Sequence, residues 1–243
     1  MNMIVQIKQH FIENLINRSI IKENSKILEF GSGHSKNIIP FLEKYPNITY
    51  VGVEQNKKDA GIAADLLKKF KNAKIYNELA YDQIENFENF DICMSLSVLE
   101  HVKQLEKFLT NSIKHVKKGG YIIHRYDLGH ALYPGSLIEK MQVFLGNYFP
   151  NLLTENKYVS YVDEKKVSKI LENNGAKINK ITYHQMPNHK AFLKLFDANT
   201  EETVALAEKL LDWEMEISKH LHKMDQKQRE HLFPTITIWA EKI

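Results

Sequence analysis

The most constraining feature of this 243-residue chain is a short apolar run that ends in a glycine-rich turn, Lys26-Ile-Leu-Glu-Phe-Gly-Ser-Gly-His34. The run predicts a strand, and the residues after the turn favour a helix. Strand, glycine turn and helix in this order open many nucleotide-binding α/β sheets. The two glycines allow the backbone to turn sharply and to pass close to a ligand, because they carry no Cβ.

A second apolar run, Tyr50-Val-Gly-Val-Glu54, predicts a strand that ends in an acidic residue. An acidic side chain at this point accepts hydrogen bonds from both hydroxyls of a ribose. A dinucleotide site would need a third glycine where this chain has Lys36, so NAD is disfavoured. A phosphate-binding P-loop would need Gly-Lys-Ser/Thr, which His34-Ser35-Lys36 does not supply.

An acidic residue two positions before the first glycine, as in Glu29-Phe-Gly-Ser-Gly33, resembles the first motif of class I S-adenosylmethionine-dependent methyltransferases. Two later segments resemble the fourth strand of that family with the residues after it, and its glycine turn into strand five: Phe90-Asp-Ile-Cys-Met-Ser-Leu-Ser-Val-Leu-Glu-His-Val102 and Lys117-Lys-Gly-Gly-Tyr-Ile-Ile123. The resemblance covers residues 20–185 and a final strand at 235–240. It departs from the family pattern at Ser35, where a third glycine is usual.

The resemblance implies a Rossmann-like α/β fold with a seven-stranded, mostly parallel sheet of order 3-2-1-4-5-7-6. Alternating apolar strands and helix-length segments independently predict parallel pairing through right-handed crossovers. The resemblance also implies S-adenosylmethionine as the cofactor and a set of residues that would bind it: Glu29, Gly31, Ser32, Gly33, Glu54, Asp82 and Ser95. For the adenine amine, Glu78 is the alternative to Asp82.

Candidate catalytic residues lie at the mouth of strand five, in His124-Arg-Tyr-Asp-Leu-Gly-His130. This segment resembles a His-x-x-Asp-Leu-x-x-His stretch of some methyltransferases from surface-glycan and other small-molecule pathways. A hydroxyl acceptor needs a base, so His124 or His130 is predicted to remove its proton and Asp127 to orient that imidazole. The structural alternative is that His124 satisfies a backbone group and Asp127 caps a turn. A metal site is not expected, since the spacing lacks the helical i, i+4 pairing of zinc motifs.

Two further residues are candidates for substrate binding. Arg125 stands out in a chain that otherwise relies on lysine, and a guanidinium binds phosphate or carboxylate at two points. Strand alternation, however, points Arg125 away from the face of His124, so an ordinary surface or salt-bridged arginine is the alternative. Tyr133 is predicted to line the substrate pocket, with packing inside its own segment as the alternative. His101 is interpreted as a packing or hydrogen-bonding residue near the methionine end of the cofactor.

Bulk properties narrow the class of protein. The formal net charge of +3 is too small to indicate nucleic acid or an anionic membrane as a partner. Cys93 is the single cysteine, which excludes a disulfide framework and fits a reducing compartment. Neither a signal peptide nor a membrane-length apolar run is visible, so a cytoplasmic protein is expected.

The chain is predicted to be one domain over residues 1–243, opening with an amphipathic helix at 1–22. Residues 129–160 and 187–233 exceed what the crossovers need and are interpreted as lid or substrate insertions. In the second insertion an apolar stripe recurs at near-heptad spacing, at Leu206, Leu210, Trp213, Ile217 and Leu221. It is expected to pack on the parent domain, and a homodimer seam is the alternative.

Together these features predict an S-adenosylmethionine-dependent enzyme that O-methylates a small polar acceptor. The acceptors considered are a sugar, a nucleotide-linked sugar and a phosphorus-containing precursor of capsule or surface polysaccharide biosynthesis. One alternative is a nucleic-acid methyltransferase, against which stands Ser95-Leu-Ser-Val98 in place of Asn/Asp-Pro-Pro-Tyr/Phe. The other is a non-catalytic, methyltransferase-like scaffold, against which stand the intact Glu29, Gly31, Gly33 and Glu54.

Overall fold

A computed structural model describes residues 12, 20–81, 89–184 and 201–243, apart from the side chains of residues 203, 204, 207, 208 and 211. Its seven strands are Lys26–Phe30 (β1), Thr49–Val53 (β2), Ala73–Tyr76 (β3), Phe90–Leu96 (β4), Val116–Asp127 (β5), Ala176–His184 (β6) and Thr235–Lys242 (β7). The helices of this part of the chain are Ile39–Lys44 (α1), Lys57–Leu67 (α2), Leu105–Lys114 (α3), Gly129–Leu132 (α4), Leu137–Tyr148 (α5), Glu164–Asn173 (α6), Glu201–Ser218 (α7) and Gln226–Leu232 (α8).

The strands form one sheet of order β3-β2-β1-β4-β5-β7-β6, which confirms the predicted topology. The first five strands pair in parallel, whereas β7 is antiparallel to both β5 and β6. The order reverses between β1 and β4, and ligands in such sheets bind where the carboxyl ends of the strands meet this reversal. The topology therefore predicts a ligand-binding site at the carboxyl ends of β1 and β4.

Strand alternation divides the core into two apolar layers, one on each face of the sheet. One layer includes Leu28, Phe30 and Phe108, and the other includes Ile27 and Tyr50, all less than 2% exposed. In β5, Arg125 and His124 lie on opposite faces, as the alternation predicts. The two faces therefore give neighbouring residues of one strand entirely different surroundings.

Local capping explains where several helices begin. Asn56 accepts backbone N–H groups at the start of α2, and Asp163 does the same for α6. Ser136 and Glu139 form a reciprocal capping box at α5. Gly175 follows α6 with a φ of 87°, as expected of a residue that ends a helix.

The insertions are only partly described. The predicted N-terminal helix falls largely outside the described residues, although Ile12 is fully buried. Residues 129–160 contain α4, α5 and two 3₁₀ turns, Pro150–Leu152 and Glu155–Lys157. Their role as a lid stays a prediction.

The apolar stripe on α7 and the turn after it divides between the core and the surface. Ile217 packs against the buried core and Leu221 is 6% exposed, whereas Trp213 remains 46% exposed. The predicted packing on the parent domain thus holds for Ile217 and Leu221. A homodimer seam stays a prediction. No helix among the described residues is long and apolar enough to cross a lipid bilayer.

Candidate functional site

A cavity of about 1040 Å³ opens at the carboxyl edge of the sheet. The residue directly after each of four neighbouring strands lines it: Gly31, Glu54, Asn77 and Ser97. Its wall continues through residues 78–81, His101 and the segment 154–156. The cavity therefore lies at the reversal of strand order, where the topology predicts a ligand.

The glycine turn after β1 follows the cavity wall. Gly31 has a φ of 70°, and a Cβ at this position would overlap the side chain of Val98. The backbone N–H groups of Gly31 and Ser32 both donate to the carbonyl oxygen of Val53, at 2.8 and 3.2 Å. The turn is thus fastened to the end of β2, and only glycine fits its first position without strain.

Ser35, which replaces the usual third glycine, also adopts a left-handed backbone, with a φ of 55°. Its buried hydroxyl lies 3.2 Å from the hydroxyl of Tyr50, which in turn donates to the carboxylate of Glu29 at 2.6 Å. Burial, followed by the nearby Glu29 carboxylate, raises the pKa of Tyr50. The departure from the glycine pattern therefore keeps the turn geometry and adds a buried hydrogen-bond chain behind it.

Glu54 joins the turn to the next helix. One carboxylate oxygen accepts the N–H of Gly33 and the other accepts the N–H of Asn56, each at 2.8 Å. Each carboxylate oxygen has a second lone pair. Glu54 also lines the cavity, so its carboxylate is held rigidly where it can accept the hydroxyls of a sugar.

The cavity wall is acidic. Four carboxylates line it, and no lysine or arginine does so within the described part of the chain; the four are Glu54, Asp59, Glu78 and Glu155. A ligand that carries a sulfonium and an ammonium fits this charge. Glu78 thus lies where an adenine contact was predicted, whereas Asp82 falls outside the described residues.

His124 has a different environment from the one that the sequence suggested. It is fully buried, with Nδ1 2.8 Å from the hydroxyl of Ser95 and Nε2 3.0 Å from the hydroxyl of Ser112. Burial lowers its pKa to about 3. Because both nitrogens are hydrogen-bonded to serines, Ser95 of β4 and Ser112 of α3, this geometry argues against His124 as a base. It equally places Ser95 away from the cavity lining.

This burial makes stability depend on pH. A histidine kept neutral in the folded state binds its proton only after unfolding, so the free energy of unfolding should fall as pH drops from 6.5 toward 3. His184, whose pKa burial lowers to about 4, adds to the same loss. His124→Asn should reduce the slope by up to about 1.4 kcal/mol per pH unit. Urea unfolding at pH 7, 6 and 5 measures this slope, with His222→Asn as the surface control. Equal slopes in wild type and His124→Asn would contradict the prediction.

Three other polar residues come together beside the cavity. His101 and His130 have ring centroids 5.7 Å apart, and Glu100 lies next to them, fully buried. The Nδ1 of His101 lies 3.0 Å from the carbonyl oxygen of Tyr158. Since a carbonyl can only accept, Nδ1 carries the proton and the neutral ring presents its Nε2 lone pair. Burial lowers the pKa of His101, which favours this neutral form.

Asp127 lies close to this group without lining the cavity. Its carboxylate accepts the N–H of Gly129 at 2.8 Å, and its own N–H donates to Glu100 at 3.3 Å. The turn-capping alternative for Asp127 is therefore realised in the structure. Its predicted orienting role stays a prediction.

The two substrate candidates are both outside the cavity lining. Arg125 is 1% exposed, and this burial lowers the pKa of its guanidinium. The nearby carboxylates of Glu214 and Asp127 oppose the shift because they favour the charged form. Tyr133 is 45% exposed and donates its hydroxyl to the carbonyl oxygen of His231 at 2.8 Å. The burial of Arg125 argues against a surface arginine, and the nearby carboxylates support the salt-bridged alternative. Tyr133 contacts α8 through His231, so it packs against a segment distant in the sequence rather than inside its own.

The sequence did not single out the segment that covers one end of the cavity. Lys103 fastens this segment, because its Nζ donates to the carbonyl oxygen of Leu153 at 2.9 Å and its N–H donates to Glu155 at 3.3 Å. Thr154 and Asn156 complete this part of the lining. In the sequence, these residues were marked only by their position inside the long insertion at 129–160.

Comparison with known proteins identifies the class of fold and of enzyme. A family model described as a methyltransferase domain matches residues 5–181. The ubiquinone biosynthesis O-methyltransferase of Pelagibacter ubique is 28% identical over 116 residues, which cover 47% of this chain and 48% of that protein. The chain thus aligns with about half the length of this curated relative.

Solved structures resemble the chain over nearly its whole length. Geranyl diphosphate C-methyltransferase from Streptomyces coelicolor, solved with Mg²⁺, geranyl diphosphate and S-adenosyl-L-homocysteine, has a TM-score of 0.60 and 10% identity. It covers 95% of this chain and 76% of its own. The [4+2]-cyclase SpnF has a TM-score of 0.61 and 11% identity, covering 96% and 81%. At such identities the likeness shows the fold alone. The proteins that share this fold include a cyclase as well as a methyltransferase.

Proposed function

The chain belongs to the methyltransferase domain family and is an S-adenosylmethionine-dependent methyltransferase, and from this we infer that it methylates a hydroxyl oxygen of a small acceptor that binds beside His101 and His130. One observation carries this proposal. His101 lines the same cavity as Gly31 and Glu54, with an unprotonated ring nitrogen fixed by its hydrogen bond to Tyr158. Cofactor-binding and proton-accepting groups thus share one cavity.

The residues of the cavity fit the cofactor. Gly31 brings backbone without a side chain to the cavity wall, Glu54 offers its carboxylate to the ribose, and Glu78 offers one to the adenine amine. Bound S-adenosylmethionine supplies an electrophilic methyl group on a sulfonium. The acidic lining complements its positive charges. Ser32, Gly33 and Glu29 support the turn from behind rather than line the cavity.

The imidazole of His101 is placed to accept the acceptor's proton. A hydroxyl becomes a strong nucleophile as its proton leaves, and an imidazole within hydrogen-bond reach can accept that proton. His130 is exposed beside His101 and is the member of the predicted His124–Asp127–His130 set that remains accessible. We therefore propose that the acceptor's hydroxyl oxygen binds next to His101 and His130.

The acceptor class follows from the charge of the lining. Phosphorylated precursors and nucleotide-linked sugars need cations, and lysine and arginine are absent from the cavity lining across the described residues. This favours an uncharged hydroxylated acceptor over the phosphorylated ones. The curated relatives are O-methyltransferases of ubiquinone biosynthesis, which supports an oxygen acceptor but carries no support for a capsule pathway. The same acidic lining disfavours nucleic acid.

Calorimetric titration tests the cofactor site directly. The protein should bind S-adenosylmethionine and S-adenosylhomocysteine with dissociation constants on the micromolar scale. NADH should give no heat of binding, because the turn lacks the third glycine that a pyrophosphate needs. Binding of NADH without a response to S-adenosylmethionine would contradict the assignment of the cavity.

A further inference from the structure

We propose that Glu100, His101 and His130 form a binding site for one divalent first-row metal ion, with Zn²⁺ as the best match. One ligand atom from each residue lies within 4.8 Å of the other two. Two imidazole nitrogens and one carboxylate oxygen are a ligand set of catalytic zinc sites, which keep a fourth position open. This inference rests on the proposed function for the place where the acceptor binds, and it assigns a metal to that place.

The surroundings of these side chains resemble those of metal ligands. A metal-binding histidine usually donates its other ring N–H to a carbonyl or carboxylate, which fixes the ring. His101 does so toward the carbonyl oxygen of Tyr158, leaving Nε2 for the metal. The carboxylate of Glu100 is held in the same way, because one oxygen accepts the N–H of Asp127. Two of the three ligands are therefore already oriented by the backbone.

The third ligand supplies the movement that closes the site. Metal–ligand distances of about 2.0–2.2 Å place tetrahedral ligand atoms roughly 3.4 Å apart. The three ligand atoms here lie within 4.8 Å of one another, so a short movement is needed to bind an ion. Glu100 is fully buried and His101 is held by its hydrogen bond, whereas His130 is exposed on the short helix α4. A rotation of the His130 side chain would bring its ring nitrogen to the other two ligands.

The position of the site would allow the metal ion to activate the acceptor. His101 lines the cavity, so the open coordination position would face the acceptor. A cation there would bind the acceptor's hydroxyl and stabilise the negative charge that forms as its proton leaves to solvent. With the ion bound, both imidazoles act as ligands, whereas without it the Nε2 of His101 is the proton acceptor of the proposed function. His101 therefore activates the acceptor in either state, through the ion or directly.

Zinc titration by calorimetry, on a chain without a histidine tag, tests the site. Wild-type protein should bind one Zn²⁺ with at least micromolar affinity, and Mg²⁺ should not compete because it prefers oxygen ligands. His130→Ala should weaken Zn²⁺ binding at least about tenfold, the lower end of what loss of an outer-shell partner costs. His222→Ala, a surface histidine away from the site, should bind Zn²⁺ like wild type.

Cobalt spectroscopy adds a readout that is independent of activity. Co²⁺ in the site should give visible absorption bands of a four- or five-coordinate ion with nitrogen ligands, and these bands should disappear in His130→Ala. Equal Zn²⁺ affinity in wild type and His130→Ala would overturn the metal site. A protein that binds S-adenosylmethionine but no Zn²⁺ would leave the proposed function standing and remove only this inference. Failure to bind S-adenosylmethionine would instead remove the proposed function.

Discussion

Replacing His101 by alanine should lower turnover by about 10²–10⁴-fold, the usual contribution of a positioned proton-transfer group. The reason is that His101 brings an unprotonated ring nitrogen to the cavity that Glu54 and Gly31 also line. The dissociation constant of S-adenosylmethionine should change by no more than a few-fold. Single-turnover kinetics with an acceptor found by screening hydroxylated compounds, together with cofactor calorimetry, measure the two effects separately.

His130→Ala should reduce turnover in the same direction, since His130 lies beside His101. His222→Ala is the matched control, because it removes an exposed histidine whose Nδ1 lies 2.8 Å from the backbone carbonyl oxygen of Lys219. Turnover within a few-fold of wild type in both site variants would mean that positioning alone drives transfer. If His124→Asn lost turnover while His101→Ala kept it, the sequence-based assignment would be right and the one from the cavity wrong.

Glu54→Ala should weaken cofactor binding roughly 10- to 150-fold, which corresponds to about 1.5–3 kcal/mol for hydrogen bonds to a charged group. Two contributions are expected. The ribose loses its acceptor, and the N–H groups of Gly33 and Asn56 lose the carboxylate that holds the turn in place. Calorimetric titration with S-adenosylhomocysteine gives the affinity, and thermal unfolding without ligand gives the cost to the turn.

Glu43→Ala provides the control for a lost carboxylate. Glu43 is exposed and pairs with Lys69 on the surface, so its removal should leave the cofactor affinity unchanged. A Glu54→Ala protein with wild-type affinity would show that this carboxylate does not contact the ribose. If unfolding shifted but affinity did not, Glu54 would serve the turn alone.

The features that the sequence predicted well depend on local patterns. The full sheet order was implied by the family resemblance, and the structure has it. The parallel pairing of β1 to β5 follows from alternating strands and helices, and the placement of Gly31 and Glu54 follows from their positions at strand ends. Such features need only a few neighbouring residues. Even Ser35 keeps the left-handed backbone of the glycine that it replaces.

The side chains that differ from expectation depend on contacts between distant parts of the chain. Nothing near His124 in the sequence indicates that Ser95 and Ser112 bind both of its nitrogens. Likewise, His101 and His130 meet only because the turn after β4 and the helix after β5 lie side by side. Periodicity gives the face of a strand on which a residue lies, but not what covers that face.

The placement of β7 has a consequence for how the chain matures on the ribosome. Strands β5 and β6 are both paired with β7, which is the last of the seven to be synthesised. The strands β1 to β5, of which the first four end at the cavity, can pair with one another before β7 emerges. Strand β6 finds its partner only later, through contacts of large sequence separation that form slowly. Until then one edge of β5 has no partner strand, which makes this interval the one in which a nascent chain is most exposed to aggregation.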